Sequence, residues 1–240
     1  MRPTRLPDKP VKAALISGEI PELAQALEKM AIVPVTTDLD IRLPKPVCWH
    51  PDMQAAILHD GTVFVTKGGL LAAKLQELGI SVMETSKEPE PRYPCDVLCN
   101  VLVWEGKAVG NPKTIDQYIW DKLNQVDFFP VRQGYTACST ALIDANSVIT
   151  GDPGIATALK SQGMDVLTIR PGFIRLSGYR YGLFGGCCAL LAPGLLGVAG
   201  TLDSHPDSGQ IRSFLLQRGV SVLELLEGPL TDVGGILPLA

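Results

Sequence analysis

The sequence lacks the features that distinguish nucleic-acid-binding and exported proteins. Its 240 residues contain 21 Lys and Arg against 25 Asp and Glu, a net charge of −4, and they include no basic cluster. Because phosphate backbones bind to basic surfaces, we expect no nucleic-acid partner. The N-terminal segment is not followed by the apolar run of a signal peptide. We therefore expect a cytoplasmic protein whose six cysteines stay reduced.

The sequence also lacks a convincing membrane-spanning segment. Residues 181–202 carry no charge over the roughly 20 residues that a spanning helix requires. Glycines and one proline nevertheless interrupt this stretch at intervals that suit two buried strands joined at Pro193-Gly194. We expect no membrane partner and assign the stretch to a core, for which a hydrophobic content of 46% is ample.

Common cofactor and metal motifs are absent as well. The sequence has no phosphate-binding P-loop, no glycine fingerprint for dinucleotides and no Gly-x-Ser-x-Gly element of serine hydrolases. Cys95 and Cys99 lack the second cysteine pair of a structural zinc site. The sequence therefore predicts no cofactor and no resident metal ion.

One stretch, residues 141–169, contains a complete structural unit. Two short apolar runs rich in β-branched residues flank Ala145-Asn146, which suits a tight hairpin turn. Asp152 then caps a predicted helix that has Pro153 at its first position, and Gly163 supplies a left-handed end. A third apolar run closes the stretch. The pattern predicts strand, turn, strand, helix and strand, abbreviated ββαβ.

The helix-to-strand half of this unit occurs five times in one register. Each copy begins with a leucine on a helix face, has a turn position four residues later and ends in an apolar strand; the leucines are Leu27, Leu75, Leu123, Leu159 and Leu215. Four copies follow candidate hairpins, with turns at Asp60-Gly61, Glu105-Gly106, Ala145-Asn146 and Pro193-Gly194. The first copy has a single strand before its helix, and residues 234–240 could supply the missing partner and close a ring.

These repeats organise residues 1–240 as one domain. We place the units at approximately residues 11–37, 47–85, 95–133, 134–169 and 180–225, closed by a C-terminal strand at residues 234–240. The joins between them are rich in Pro, Gly or charged residues and are too short to be domain linkers. The predicted fold class is α/β, a five-bladed pseudo-symmetric α/β propeller of ββαβ repeats.

This fivefold array resembles the pentein fold of guanidino-group-modifying enzymes. His50-Pro51-Asp52, followed by an apolar strand, is similar to the His-x-Asp motif of those enzymes, and Thr150-Gly151-Asp152-Pro153 is similar to their Thr-Arg-Asp-Pro turn. The chain also resembles an uncharacterised bacterial pentein-like group in its Gly178-Tyr179 and Gly185-Gly186 pairs and its DVGGILPL end. The resemblance implies a cysteine thiolate that attacks a guanidinium carbon, a histidine that transfers protons and carboxylates that bind the cation.

In the pentein fold the first strand of each unit lines a central channel, so polar residues that open these strands are the site candidates. His50 and Asp52, two apart on a predicted strand, would face one side as an acid-base group and a cation ligand. The family's nucleophile follows paired glycines near the C-terminus, where this chain has no cysteine. Cys138 is the candidate replacement, since a nearby imidazole would stabilise its thiolate. The residues expected to bind substrate are Asn100, Gln133 and Asp152.

Three functions fit the sequence. The first is a hydrolase or transferase that acts on a small guanidino, amidino or amide compound, with Cys187 or Cys188 as the alternative nucleophile. The second is a non-catalytic pentein that binds a macromolecular partner, as the ribosome anti-association initiation factor of this fold does. The third is a metal-dependent hydrolase centred on His50 or on His205 and its neighbouring aspartates, although helix capping is the simpler role of those aspartates.

Overall fold

The computed structural model describes residues 2–240 and contains five small three-stranded sheets. In four of them a hairpin is followed by a third strand, which pairs parallel with the second strand of the hairpin. Their strands in chain order are β3 (Ala55–Ile57), β4 (Val63–Val65), β5 (Val82–Glu84), β6 (Leu102–Trp104), β7 (Lys107–Gly110), β8 (Asp127–Pro130), β9 (Thr140–Asp144), β10 (Ser147–Thr150), β11 (Asp165–Thr168), β12 (Cys188–Ala192), β13 (Leu195–Val198) and β14 (Ser221–Glu224). This is the ββαβ repeat that the sequence predicts.

The remaining sheet joins the two ends of the chain. β1 (Ala13–Ile16) pairs parallel with β2 (Val33–Thr36) and antiparallel with β15 (Leu237–Pro238). Ala14 lies opposite Pro238 in this register. The C-terminal strand therefore stands where each of the other sheets has the first strand of its hairpin.

The outer helices connect the second and third strands of the sheets. They are α1 (Pro21–Glu28), α3 (Leu71–Glu77), α4 (Gln117–Lys122), α6 (Pro153–Ser161) and α7 (Ser208–Leu216). α6 shows why the sequence folds this way: the Asp152 carboxylate accepts the Ile155 N–H at 2.8 Å, and Gly163 ends the segment at φ +79°. Leu159 on the inner face of α6 is fully buried, so the helix is held against its own sheet.

Short helical turns, rather than strand residues, lead into the inner strands. α2 (Pro51–Gln54) precedes β3, α5 (Thr136–Ser139) precedes β9, and a single 3₁₀ turn at Gly185–Cys187 precedes β12. The expectation that His50 and Asp52 share one face of a strand is therefore wrong. Pro51 begins the helical turn because its fixed φ suits the first helical position, and His50 caps the turn in extended geometry.

The first strands of neighbouring sheets meet around the centre of the molecule, where β3 contacts β6, β9 contacts β12, and β12 contacts β15. Apolar side chains from adjacent sheets and their helices form shared clusters, one of which joins Leu15, Ile57, Leu75 and Leu237. The packing directs the entrances of the inner strands toward one central region. Within residues 2–240 no helix has the length and apolar character needed to cross a membrane.

Candidate functional site

The centre of the ring is a cluster of buried polar side chains from four different units. Asp52 comes from α2, Asn100 from the turn before β6, Cys138 from α5 and Asp232 from the segment before β15. The Asp52 N–H donates to the carbonyl of Gly234 at 3.2 Å, which attaches α2 to the C-terminal segment. We call Asp52, Asn100, Cys138 and Asp232, together with His50, the central cluster.

Cys138 is held between two polar groups of the central cluster. Its thiol donates to Asp52 Oδ2 at 2.8 Å and accepts an N–H from Asn100 Nδ2 at 2.9 Å. Asn100 Oδ1 in turn accepts the backbone N–H groups of Ala137 at 2.8 Å and Cys138 at 3.3 Å, which fixes the orientation of α5. The thiol therefore lies beside both a proton acceptor and a donor that would stabilise a thiolate.

Asp232 and His50 form the second half of the central cluster. Asp232 accepts the N–H of Leu183 at 2.8 Å and that of Gly234 at 3.0 Å. His50 Nδ1 lies 3.8 Å from Asp232 Oδ1, which is beyond hydrogen-bond distance but close enough for an ion pair if the ring is protonated. A Cβ atom at Gly186 would lie 2.1 Å from Asp232 Oδ1, so only glycine allows this carboxylate its position.

Burial shifts the pKa values of the central cluster away from their usual range. It raises the pKa of Asp52 to about 8, with a further rise from the neighbouring Asp232, and it raises the pKa of Asp232 to about 6. The same burial lowers the pKa of His50 to about 4, so the imidazole is neutral at physiological pH. Burial, and then the charge of Asp52, raises the pKa of the Cys138 thiol well above its usual value.

Several polar atoms around the centre are buried without a hydrogen-bond partner. In and beside the central cluster they are His50 Nδ1, Asp52 Oδ1, Asp96 Oδ1, Ser139 Oγ and Thr140 Oγ1. Such atoms are uncommon in folded proteins, because each one loses its hydrogen bonds to water without replacement. Their concentration at one place is typical of a site that binds a ligand.

Two of the expected substrate-binding residues line a neighbouring cleft and not the central cluster. Gln133, Ser139 and Asp152 border a cavity of about 160 Å³, and Gln133 Nε2 donates to Asp152 Oδ2 at 3.1 Å. Leu183, whose N–H binds Asp232, lines the same cavity. Asn100, the third expected residue, contacts Cys138 instead.

Sequence reasoning missed three groups that the fold brings to the centre. Asp232 stands two residues before the paired glycines at Gly234-Gly235, and that proximity was the available signal. Tyr135 donates its hydroxyl to Asp96 Oδ2 at 2.6 Å beside the central cluster, without any motif to indicate it. Arg5 lies in an N-terminal segment without regular secondary structure, and its charge interacts with those of Asp52 and Cys138.

The alternative centre at His205 has a structural role. Its Nδ1 accepts the Asp207 N–H at 3.0 Å and its Nε2 donates to the Arg170 carbonyl at 3.2 Å, so both ring nitrogens are engaged. Asp207 binds Arg170, and Asp203 binds Arg212. Among the described residues no group of three or more His, Cys, Asp or Glu side chains is arranged to hold a metal ion.

Solved structures with similar folds cover nearly the whole chain. An inosamine-phosphate amidinotransferase from Streptomyces griseus matches at a TM-score of 0.60 and 13% identity, over 100% of this chain and 97% of that chain. An amidinotransferase from Microseira wollei in the saxitoxin biosynthetic pathway matches at 0.59 and 8%, with the same coverage. DDAH from Pseudomonas aeruginosa, complexed with citrulline, matches at 0.52 and 9%, over 94% of this chain and 96% of that chain.

These structural similarities confirm the pentein fold that the fivefold repeat predicts. The sequence identities are too low to carry an activity from those proteins to this one. No curated protein matches the chain. Because the model of the family of unknown function DUF6873 matches residues 15–237, which is nearly the whole chain, the protein belongs to that family.

Proposed function

We propose that the protein is a thiol-dependent enzyme, a hydrolase or transferase, that acts on a small guanidino or amidino compound. The observation that carries this proposal is the placement of Cys138, whose sulfur lies between the Asp52 carboxylate and the Asn100 amide. A cysteine in an inert core has no need of a carboxylate or of an amide donor. The two similar amidinotransferases, with the same fold, support the substrate class.

The position of Cys138 allows it to replace the nucleophile that the C-terminal segment lacks. A Cβ atom at Gly234 would lie 2.4 Å from His50 Cβ, and one at Gly235 would lie 3.9 Å from Asp52 Oδ2. The segment that carries the nucleophile in related enzymes therefore reaches the same two side chains. Cys138 contacts Asp52 from another unit, so a thiol is still available at this place in the ring.

The first step is activation of the thiol by the substrate itself. In the closed site Cys138 holds its proton, because burial raises the pKa of the thiol. A guanidinium that enters beside the sulfur favours the thiolate, and Asn100 Nδ2–H stabilises it further. The same cation lowers the pKa of Asp52 from its raised value of about 8, so Asp52 ionises and accepts the thiol proton over the 2.8 Å hydrogen bond.

The covalent step then follows ordinary nucleophilic catalysis. The thiolate sulfur bonds to the guanidinium carbon, a carbon–nitrogen bond breaks, and the departing amine takes the proton from Asp52. Water attacks the same carbon in a hydrolase and gives its proton to His50, which is neutral because burial lowers its pKa to about 4. The carbon–sulfur bond breaks, and His50 returns its proton to the leaving sulfur, which restores the thiol of Cys138. An acceptor amine in place of water makes the reaction a transfer.

Two carboxylate groups have the chemistry to bind the substrate. Asp232 faces His50 in the central cluster and would pair with the guanidinium, since a carboxylate accepts two parallel N–H donors. The pair of Gln133 and Asp152 in the adjoining cleft would bind the remainder of a longer substrate. The central cluster is closed to solvent, so the loops that cover it have to open to admit a ligand.

A substrate screen with matched cysteine variants tests the proposal. The protein is incubated with arginine, agmatine, methylguanidine and acetamidine, and release of ammonia or amine is measured together with the intact mass after acid quenching. We expect turnover by the wild type, and a loss of roughly 10³-fold or more in Cys138→Ser. Cys48→Ser is the control, because that thiol donates to the Lys45 carbonyl and does not belong to the central cluster.

Turnover that survives in Cys138→Ser would contradict the proposal. So would a wild type that neither turns over any of these compounds nor forms a covalent adduct. The second candidate function, a non-catalytic pentein that binds a partner, would then be favoured. The observation that supports it is the closed centre. Cys138 is only 4% exposed there, and burial raises the pKa of its thiol.

A further inference from the structure

The N-terminal segment covers the end of the ring at which the hairpins turn. Arg2 Nη2 donates to the carbonyl of His59, next to the turn between β3 and β4, at 2.8 Å. The Thr4 N–H donates to the carbonyl of Pro238 in β15 at 3.3 Å. Leu6 packs against two of the apolar clusters between the sheets. Residues on both sides of Arg5 are therefore fixed to the ring.

The side chain of Arg5 enters the ring from this end. Together with the starts of three inner strands it lines a cavity of about 20 Å³, enough for roughly one water molecule. The lining includes Thr140, whose buried hydroxyl has no partner, and Cys188. The cavity therefore places Arg5 beside two polar side chains at the starts of inner strands.

Arg5 and Asp52 approach the same point, which lies beside Gly235. A Cβ atom at Gly235 would lie 3.9 Å from Arg5 Nη1 and 3.9 Å from Asp52 Oδ2. The Arg5 side chain makes no hydrogen bond and no ion pair with any of residues 2–240. Burial lowers the pKa of the guanidinium, while the charges of Asp52, Cys138 and Cys188 act in the opposite direction. Its charge thus favours the ionised form of Asp52 without a fixed bidentate pair.

We propose that Arg5 is a built-in occupant of a cation site in the centre of the ring, where its guanidinium supplies positive charge beside Asp52. A guanidinium suits this place better than an ammonium or a metal ion, because it is planar, weakly hydrated and carries five donors. Removal of the Arg5 side chain leaves a space that a free guanidinium cation fills. The N-terminal segment therefore occupies this site with Arg5 and excludes other cations from it.

This inference goes beyond the proposed function, since it depends on the charges of the centre and not on the chemistry of Cys138. It also adds a level of control to that function. A substrate cation has to share the centre with Arg5 or displace it. The two proposals can fail separately, because binding of a cation is measurable in a protein that lacks the Cys138 thiol.

Rescue of Arg5→Ala by guanidinium tests the inference. Thermal unfolding of this variant is measured with low-millimolar guanidinium chloride, with methylguanidinium chloride, with sodium chloride at the same ionic strength and with urea, which has the same shape but no charge. We expect Arg5→Ala to unfold at a lower temperature than the wild type, and the two guanidinium salts to raise its midpoint by about 3 °C or more with saturation. Sodium chloride and urea should leave it unchanged.

Arg2→Ala is the matched control, because Arg2 belongs to the same segment but donates to a carbonyl outside the centre. Both it and the wild type should respond to guanidinium far less than Arg5→Ala, because Arg5 still occupies the site in them. The same rescue in Arg5→Ala combined with Cys138→Ser would hold even if the enzyme proposal fails. If Arg5→Ala does not fold unaided, recovery of folded protein on dilution into guanidinium, but not into urea, is the equivalent result.

Three results would overturn the inference. One is an Arg5→Ala variant as stable as the wild type. Another is a guanidinium response no larger than the response to sodium chloride or urea. The third is an equal response in Arg2→Ala, which would show that guanidinium binds elsewhere on the protein.

Discussion

The tripeptide His-Pro-Asp occurs twice in this chain, and the two copies have opposite roles. His205-Pro206-Asp207 lies outside the central cluster, where both ring nitrogens are bonded and Asp207 pairs with Arg170. His50-Pro51-Asp52 lies at the centre, where His50 Nδ1 and Asp52 Oδ1 have no partner. The Arg170 guanidinium lowers the pKa of Asp207, whereas burial raises that of Asp52 to about 8.

The comparison shows that the motif does not determine its own chemistry. In both copies the histidine is extended and its carbonyl accepts the N–H three residues later, from Met53 at 3.2 Å and from Ser208 at 3.0 Å, so their local structure is alike. What differs is the surrounding charge: an arginine is bonded directly to Asp207, while Asp52 has a thiol and a second carboxylate nearby. The first arrangement stabilises the fold. The second keeps ionisable groups in a state that a ligand can change.

The largest expected loss of stability comes from filling the space beside the buried Asp232 carboxylate. Gly186→Ala should lower the free energy of unfolding by about 3 kcal/mol, because the new Cβ would overlap Asp232 Oδ1 in the buried centre. Gly209→Ala is the control near the second tripeptide, where a Cβ meets nothing within 4 Å. It should gain about 0.5 kcal/mol from reduced entropy of the unfolded chain. Urea unfolding measures the free energy of unfolding of both variants. Equal values would show that the centre is not tightly packed.

The second prediction uses the pH dependence of stability. A carboxyl whose pKa is higher in the folded protein binds its proton more tightly there than in the unfolded chain. Ionisation in the unfolded chain therefore lowers stability as pH rises from the unfolded pKa, near 4, to the folded value of about 8 for Asp52. His50 has the opposite sign, because its folded pKa of about 4 lies below the unfolded value of 6.5. The stabilisation that His50 gives through its lowered pKa is therefore complete above pH 6.5.

Between pH 6.5 and 8, therefore, Asp52 acts without compensation from His50 or from Asp232, whose folded pKa is about 6. The wild type should lose stability by at most about 1.4 kcal/mol per pH unit in this window, or about 2 kcal/mol in total. Asp52→Asn should remove that slope. Denaturant unfolding at closely spaced pH values measures it, and a slope that persists unchanged in the variant would mean that Asp52 is ionised in the folded protein.

The fold is readable from this sequence because its signals are local and repeated. The register of Leu159, Gly163 and the strand that follows recurs around the ring, and each hairpin turn has its own short signature. The helical turns before the inner strands were not predictable in this way. α2 and α5 have four residues each, which is about one turn and too short to show a helical period.

The central cluster is only partly readable for a related reason. His50, Asp52 and Cys138 could be proposed together because the starts of the inner strands meet at the centre of such a ring. Asp232 and Arg5 come from irregular segments, where no period connects a residue to a face of a strand or helix. Their positions depend on contacts between distant parts of the chain, such as the bond from the Thr4 N–H to Pro238, and these have no local signature.

The smallest effect expected is at the second tripeptide, and it completes the comparison. Asp207→Asn removes the charge that accepts Arg170 N–H at 2.7 Å and Nε–H at 2.8 Å, and should lower the free energy of unfolding by about 1.5 kcal/mol. Because the folded pKa of Asp207 is depressed, its contribution is complete above the unfolded pKa near 4 and is lost only in acid. The deficit of the variant should therefore stay constant from pH 6.5 to 8, where the effect of Asp52→Asn changes. A deficit at Asp207 that varies across this window would mean that both tripeptides titrate, and that charge pairing with Arg170 does not separate the structural copy from the central one.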